Sequence, residues 1–165
     1  MKAFIVSDIK TFMNSMLNGK LFHRWQLRTM ELGLISHISI DGKLNRNFLS
    51  EEESASRTSD YIEWDEIQPK IKGLIQGKNS PSVLTMTLSL PPELVPGIQS
   101  DAIESYQLNI RYEVPAGSED KKKRLVLITG ISTKTFTMDK EPERAWDSLI
   151  PSYFEKRQLS IEELT

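Results

Sequence analysis

Apolar residues at Ile9, Phe12, Met13, Met16 and Leu17 recur three and four apart behind Ser7 and Asp8, two side chains that cap helices well. The spacing predicts an amphipathic helix, closed by Gly19. Over 21–48 the period falls to two, with Leu32, Leu34, Ile38 and Ile40 set against polar neighbours. About three antiparallel strands are predicted there, with Gly33 at a turn or bulge and Asp41-Gly42 as a hairpin dipeptide. Residues 50–60 carry no large apolar side chain and read as a mobile acidic surface loop.

Tyr61 to Trp64 reads as a short strand, and Ile67, Ile71, Leu74 and Ile75 mark a second helical face. Asp65 is its expected cap and Gly77 its stop, with Pro69 assigned to the first turn, where amide donors are uncommitted. Strict alternation from Leu84 to Leu90 and from Tyr106 to Val114 predicts two strands. Pro91, Pro92, Pro96 and Gly97 enforce an irregular link between them, and residues 115–120 form a turn. Leu125 to Met138 is a strand or strand pair broken near Gly130. A helical tail over 139–165 carries Ala145, Trp146, Leu149 and Ile150, breaks at Pro151, and restarts at a capping box of Ser160 and Glu163.

The predicted fold class is α+β, in one domain over 1–165. It has about eight mostly antiparallel strands, two amphipathic helices on one side and a helical C-terminal tail. Its expected core holds Ile9, Phe12, Met13, Met16, Ile71, Leu74, Leu88, Leu108, Ile110 and Leu127. The rival is a helix-grip arrangement, a sheet curved around one long helix with an internal cavity.

Written as elements, the chain runs strand, helix, three strands twice, over 1–49 and 61–138, before the tail. Each helix ends in a Gly-Lys pair, Gly19-Lys20 and Gly77-Lys78. That doubled order resembles one domain of the DNA sliding clamps, in which two such units pair with sheet outside and helices inside. The resemblance implies a ring of several copies, because one domain cannot encircle a duplex. It also makes Lys10, Lys20, Lys70, Lys72 and Lys78 the candidate nucleic-acid contacts on a shared helix face. Separately, Phe4-Ile5-Val6-Ser7-Asp8-Ile9-Lys10-Thr11-Phe12, Tyr61-Ile62-Glu63-Trp64 and Thr135-Phe136-Thr137-Met138-Asp139-Lys140 resemble segments of a bacterial family of unknown function, which implies no chemistry.

Charge narrows this picture. The 165 residues carry 21 Lys and Arg against 23 Asp and Glu, a formal charge of −2. The basic excess of an independent nucleic-acid binder is missing, so any such contact is expected to be weak, non-specific and salt-sensitive. The absence of cysteine excludes thiol catalysis, disulfides, iron-sulfur clusters and cysteine-ligated zinc. The apolar runs at Ala3–Val6 and Leu125–Ile128 are too short for a signal peptide or a bilayer span. The expectation is a soluble cytoplasmic protein with no membrane partner.

Candidate chemistry is sparse. His23 and His37, both in predicted strands, are the two histidines. No His-Glu-x-x-His, Gly-x-Ser-x-Gly, Walker or Gly-x-Gly-x-x-Gly pattern occurs. No catalytic, metal-ligating or cofactor-binding residue is assigned, and no cofactor is expected. Glu63, Asp65 and Glu66 read as acids complementing a helix N-terminus, and the charged run over 119–124 as a solubilised hairpin link. Trp25, Trp64 and Trp146 read as core, but Trp146, Tyr153 and Phe154 would make a partner-binding tail if exposed together. The expected function is a non-enzymatic binding or assembly module with an unknown protein partner and room for oligomers. The alternatives are a carboxylate and histidine enzyme using His23 or His37, or a small-ligand binder with a helix-grip pocket.

Overall fold

Alternation over the central strands puts one apolar row on each, and those rows meet. The computed structural model describes residues 1–77, 80–98, 100–113 and 122–165. In chain order its elements are β1 (Ala3–Val6), α1 (Ile9–Asn18), β2 (Gln26–Gly33), β3 (His37–Asp41), α2 (Glu51–Ser56), α3 (Trp64–Ile75), β4 (Val83–Leu90), β5 (Ile103–Glu113), β6 (Arg124–Thr133), α4 (Glu141–Glu155) and β7 (Ile161–Glu163). The strands form one antiparallel sheet in the order β3-β2-β4-β5-β6-β1-β7. Leu88 lies opposite both Leu27 and Leu108, and Met86 opposite both Met30 and Ile110, all buried. Each such side chain contributes about 1.5–3 kcal/mol by leaving water. The intervening positions Thr29, Thr87 and Asn109 make a polar row on the other face, where the Thr87 hydroxyl lies 2.7 Å from Asn109 Oδ1.

Helices cover the apolar face. Phe12 and Met16 of α1, Trp64 and Ile71 of α3, and Trp146, Ile150 and Phe154 of α4 join one core with the sheet. Aromatic rings fill the space under α4: Trp146 stacks 5.2 Å from Tyr106 and 5.8 Å from Trp25, and Phe154 lies 5.6 Å from Phe12. The tail aromatics are therefore core, and a partner-binding role for Trp146, Tyr153 and Phe154 is corrected: the tail docks on its own sheet. Trp146 and Phe154 are wholly buried, and the half-buried Tyr153 donates its hydroxyl proton to the Leu21 carbonyl.

The fold class is α+β, with an antiparallel sheet and a C-terminal helix. The doubled order of strand, helix and three strands is corrected: β1-α1-β2-β3 has two strands after its helix, and α3-β4-β5-β6 has no leading strand, because the one expected at 61–64 shrinks to single bridge residues, Tyr61 to Lys43 and Glu63 to Gln26. The segment expected to be a loop over 50–60 holds α2, because Ser50 caps it and Glu51, Glu52 and Glu53 sit in its first turn, where the helix dipole favours acids. Pro69 lies in the second turn of α3, since that helix begins at Trp64 with Glu63 and Glu66 forming its capping box. Asp65 is thus free of the capping role expected for it. At the other end of the chain α4 passes through Pro151, and residues 161–163 form an edge strand on β1 where a helix restart was expected. Main-chain pairing with β1, including Ser7 N–H to the Ser160 carbonyl at 3.0 Å, outweighs the local capping signal. Of the expected core, Leu88 and Leu108 are wholly buried, whereas Leu74 is 43% exposed. The buried stripe of α3 follows Trp64 and Ile71, and Leu74 falls on its flank. Lys78 and the turn over 115–120 lie outside the described residues.

Candidate functional site

His23 ends up in a turn before β2, and not in a strand. Its Nδ1 lies 2.7 Å from Asp65 Oδ2, and the same oxygen accepts the Arg24 N–H at 3.1 Å. Arg24 has φ of +67°, a left-handed conformation costly for a residue with a Cβ. Asp65 therefore clamps a strained turn to the start of α3. The His23 side chain is 58% exposed, so this pair is a surface staple with both Asp65 contacts on the turn it holds. His37 is exposed on the edge strand β3, with Nδ1 3.3 Å from the Leu32 carbonyl.

The other candidate acids are also committed. Glu66 meets the Arg57 guanidinium through two contacts of 2.9 and 2.6 Å, which holds its carboxyl below the usual range. Glu63 completes the α3 capping box. Among the described residues the one buried carboxylate is Asp147, which accepts from the Thr129 hydroxyl and from the Met1 amine at 3.0 Å. No group of three His, Asp or Glu side chains suited to a metal occurs among them.

The candidate lysines divide into two sets. Trp64 Nε1 and Gln68 Nε2 both donate to the Met16 carbonyl, at 3.2 and 2.8 Å, and Gln68 reaches Gly19 as well. The start of α3 thus holds the end of α1, and the two helices run antiparallel. Gln68 precedes Lys72 by four residues, so Lys72 lies on the α1 side; Leu74 follows Lys70 by four, so Lys70 lies on the opposite flank. Lys10 lines the groove between α1 and α3, Lys20 follows the Gly19 carbonyl that Gln68 holds, and Lys72 shares the Gln68 side of α3, which Lys70 does not. The shared face expected for all of them is corrected to that extent, because residues two apart on a helix point to different sides.

Two clefts meet at the end of α3. One, of about 440 Å³, runs between α1 and α3 and is lined by Ile9, Met13, Leu17 and Ile75, with Lys10 and Lys123 as its charged groups. The other, of about 520 Å³, lies between α3 and the β2–β3 turn and is lined by Leu34, Ile35, Ile38 and Leu74. Both include Ile75 and Gly77, and Gly77 takes φ of +143°, which a side chain would disfavour. Ile35 is fully exposed at the turn. Among the described residues neither lining contains a carboxylate. Of these groups sequence reasoning singled out Lys10, as a nucleic-acid contact, and none of the apolar ones, although one signal was available: Leu34-Ile35 puts two apolar residues beside Gly33, where a turn is ordinarily polar.

No curated protein and no solved structure matches the chain. The likeness to a clamp domain rests on element order alone. The model of a family of unknown function, DUF5721, matches residues 15–162, and the chain belongs to that family.

Proposed function

We propose that the protein is a non-enzymatic binding module whose ligand surface is the pair of apolar clefts astride the end of α3. The observation that carries this reading is the concentration of exposed Ile35 and Leu74 with half-buried Leu34, Ile38 and Ile75 around grooves that no carboxylate lines among the described residues. Exposed apolar area of this kind gains free energy, about 25 cal/mol per Å², when an apolar ligand covers it. The candidate groups His23, Asp65, Glu63 and Glu66 are engaged in turn and helix-end contacts, which favours binding over catalysis as the role.

Titration with the neutral dye Nile red tests the surface. The wild-type chain should give a saturable fluorescence rise, and Ile35→Ser/Leu74→Ser should lose about half of it or more while melting normally, because both side chains are exposed. Equal titrations for the two proteins, or no rise in either, would overturn the reading.

A second reading is weak nucleic-acid contact along the α1/α3 seam, supported by Lys10, Lys20 and Lys72, none of which forms an ion pair among the described residues. Lys72→Glu should then weaken low-salt DNA binding and flatten its salt slope by about 1, while Lys70→Glu should do less. Identical titrations of the wild type and Lys72→Glu would remove it.

A further inference from the structure

We propose that the α1/α3 cleft binds a single-chain anionic amphiphile, in class a medium-chain fatty carboxylate, its tail against Ile9, Met13, Leu17 and Ile75 and its head between Lys10 and Lys123. The inference rests on the binding-module reading and names the ligand class for one of its two clefts. The argument is charge complementarity. Among the described residues the lining holds two ammonium groups and no acid, and that of the neighbouring cleft holds no charged side chain. Asp8, next to Ile9 in the chain, is the helix cap: it accepts from the Thr11 N–H at 3.1 Å and the Thr11 hydroxyl at 2.6 Å, and these contacts, with a smaller contribution from Lys10, hold its carboxyl below the usual range.

Lys123 is held in place. Its Nζ donates to the Pro81 carbonyl at 2.6 Å and lies 5.0 Å from the centre of the Tyr112 ring. An ammonium has three protons to donate, so two remain beyond the Pro81 bond, and Lys123 makes no second hydrogen bond among the described residues. Lys10 makes no ion pair among the described residues. It stands in the first turn of α1, while Leu17 stands in the last. From Ile9 to Leu17 the helix rises about 12 Å, which gives the groove a cationic end and an apolar run of one short tail's length. Its volume of about 440 Å³ falls in the range of small-ligand sites.

Isothermal titration with decanoate and with 1-decanol, both below their aggregation limits, separates head from tail. Decanoate should bind one molecule per chain, about tenfold tighter than decanol, since a charge-assisted hydrogen bond is lost with the alcohol. Shortening to octanoate should weaken binding about fourfold per methylene removed. Lys10→Gln should abolish the preference for decanoate, while Lys20→Gln, outside the cleft, should leave it intact. Equal affinity for acid and alcohol, or a preference that survives Lys10→Gln, would overturn the inference. If Nile red still distinguishes wild type from Ile35→Ser/Leu74→Ser under those results, the binding-module reading stands and the ligand class falls alone. If the dye also fails, both fall.

Discussion

Gly42→Ala should be among the most destabilising small substitutions in the chain. A Cβ built on Gly42 would meet the Leu27 carbonyl oxygen at 1.8 Å, its carbon at 2.6 Å and the Arg28 oxygen at 3.2 Å. All three are backbone atoms, so no side-chain rotation relieves the clash. The glycine is also pinned from both sides: its N–H donates to the Arg28 carbonyl at 2.9 Å and its carbonyl accepts from Ile62 at 2.8 Å. Moving it by an ångström or more would break both bonds, at about 1–3 kcal/mol for each bond lost, for a total of about 2–6 kcal/mol. That is a large part of the 5–15 kcal/mol typical of a whole domain. The control is Gly73→Ala in α3, where a Cβ meets nothing within 4 Å. There alanine should stabilise by about 0.5–1 kcal/mol through helix propensity. Urea unfolding followed by tryptophan fluorescence reads both, since Trp25, Trp64 and Trp146 are all buried. A Gly42→Ala midpoint that places the loss below about 0.5 kcal/mol would refute the close-approach account.

Leu88→Ala should cost about 2–5 kcal/mol, because the side chain is wholly buried at the centre of the sheet; a loss under 1 kcal/mol in the same assay would contradict its placement. The Arg57–Glu66 pair stabilises the fold above the unfolded carboxylate range and loses its effect as pH falls through the depressed folded value. Both side chains are about one third exposed, so solvent screening holds the effect to about 0.5 kcal/mol or less, and the melting difference between wild type and Glu66→Gln should shrink from pH 7 to pH 3. Burial raises the Tyr106 and Tyr153 hydroxyls above the usual tyrosine value. Their contribution is complete below the unfolded value and lost as pH rises through the folded one, so ultraviolet titration should show Tyr106 and Tyr153 ionising above the usual tyrosine value, and Tyr153→Phe should delay alkaline unfolding. An absorbance titration above that value left unchanged by Tyr153→Phe would count against this.

The candidate site was harder to read than the scaffold because its parts come from distant segments. Ile9 and Lys10 share a cleft with Ile75, Tyr112 and Lys123, and no periodicity links positions so far apart. Leu74 illustrates the limit well. Its spacing from Ile71 fits a helical face, yet the face that meets the sheet is narrower than the apolar stripe, so the flank stays in water. Lys70 and Lys72 look alike in sequence, and only the contacts of Gln68 and the placement of Leu74 assign them to different sides.

What the sequence alone determined was local. Period-two alternation set which residues of β4 and β5 face the core, and a capping aspartate with a three-and-four repeat set α1, because backbone geometry ties side-chain direction to spacing. Long-range pairing decided the rest. Ser160 and Glu163 satisfy a capping pattern, but an open strand edge on β1 gives residues 161–163 a main-chain partner. Asp41-Gly42 reads as a hairpin turn, but the glycine is required where another strand's carbonyl presses against it. Asp65 reads as a helix cap, but its oxygen serves a turn forty-two residues before it in the chain. In each case the local signal was genuine and a tertiary contact with a better hydrogen-bond partner or a tighter approach outweighed it.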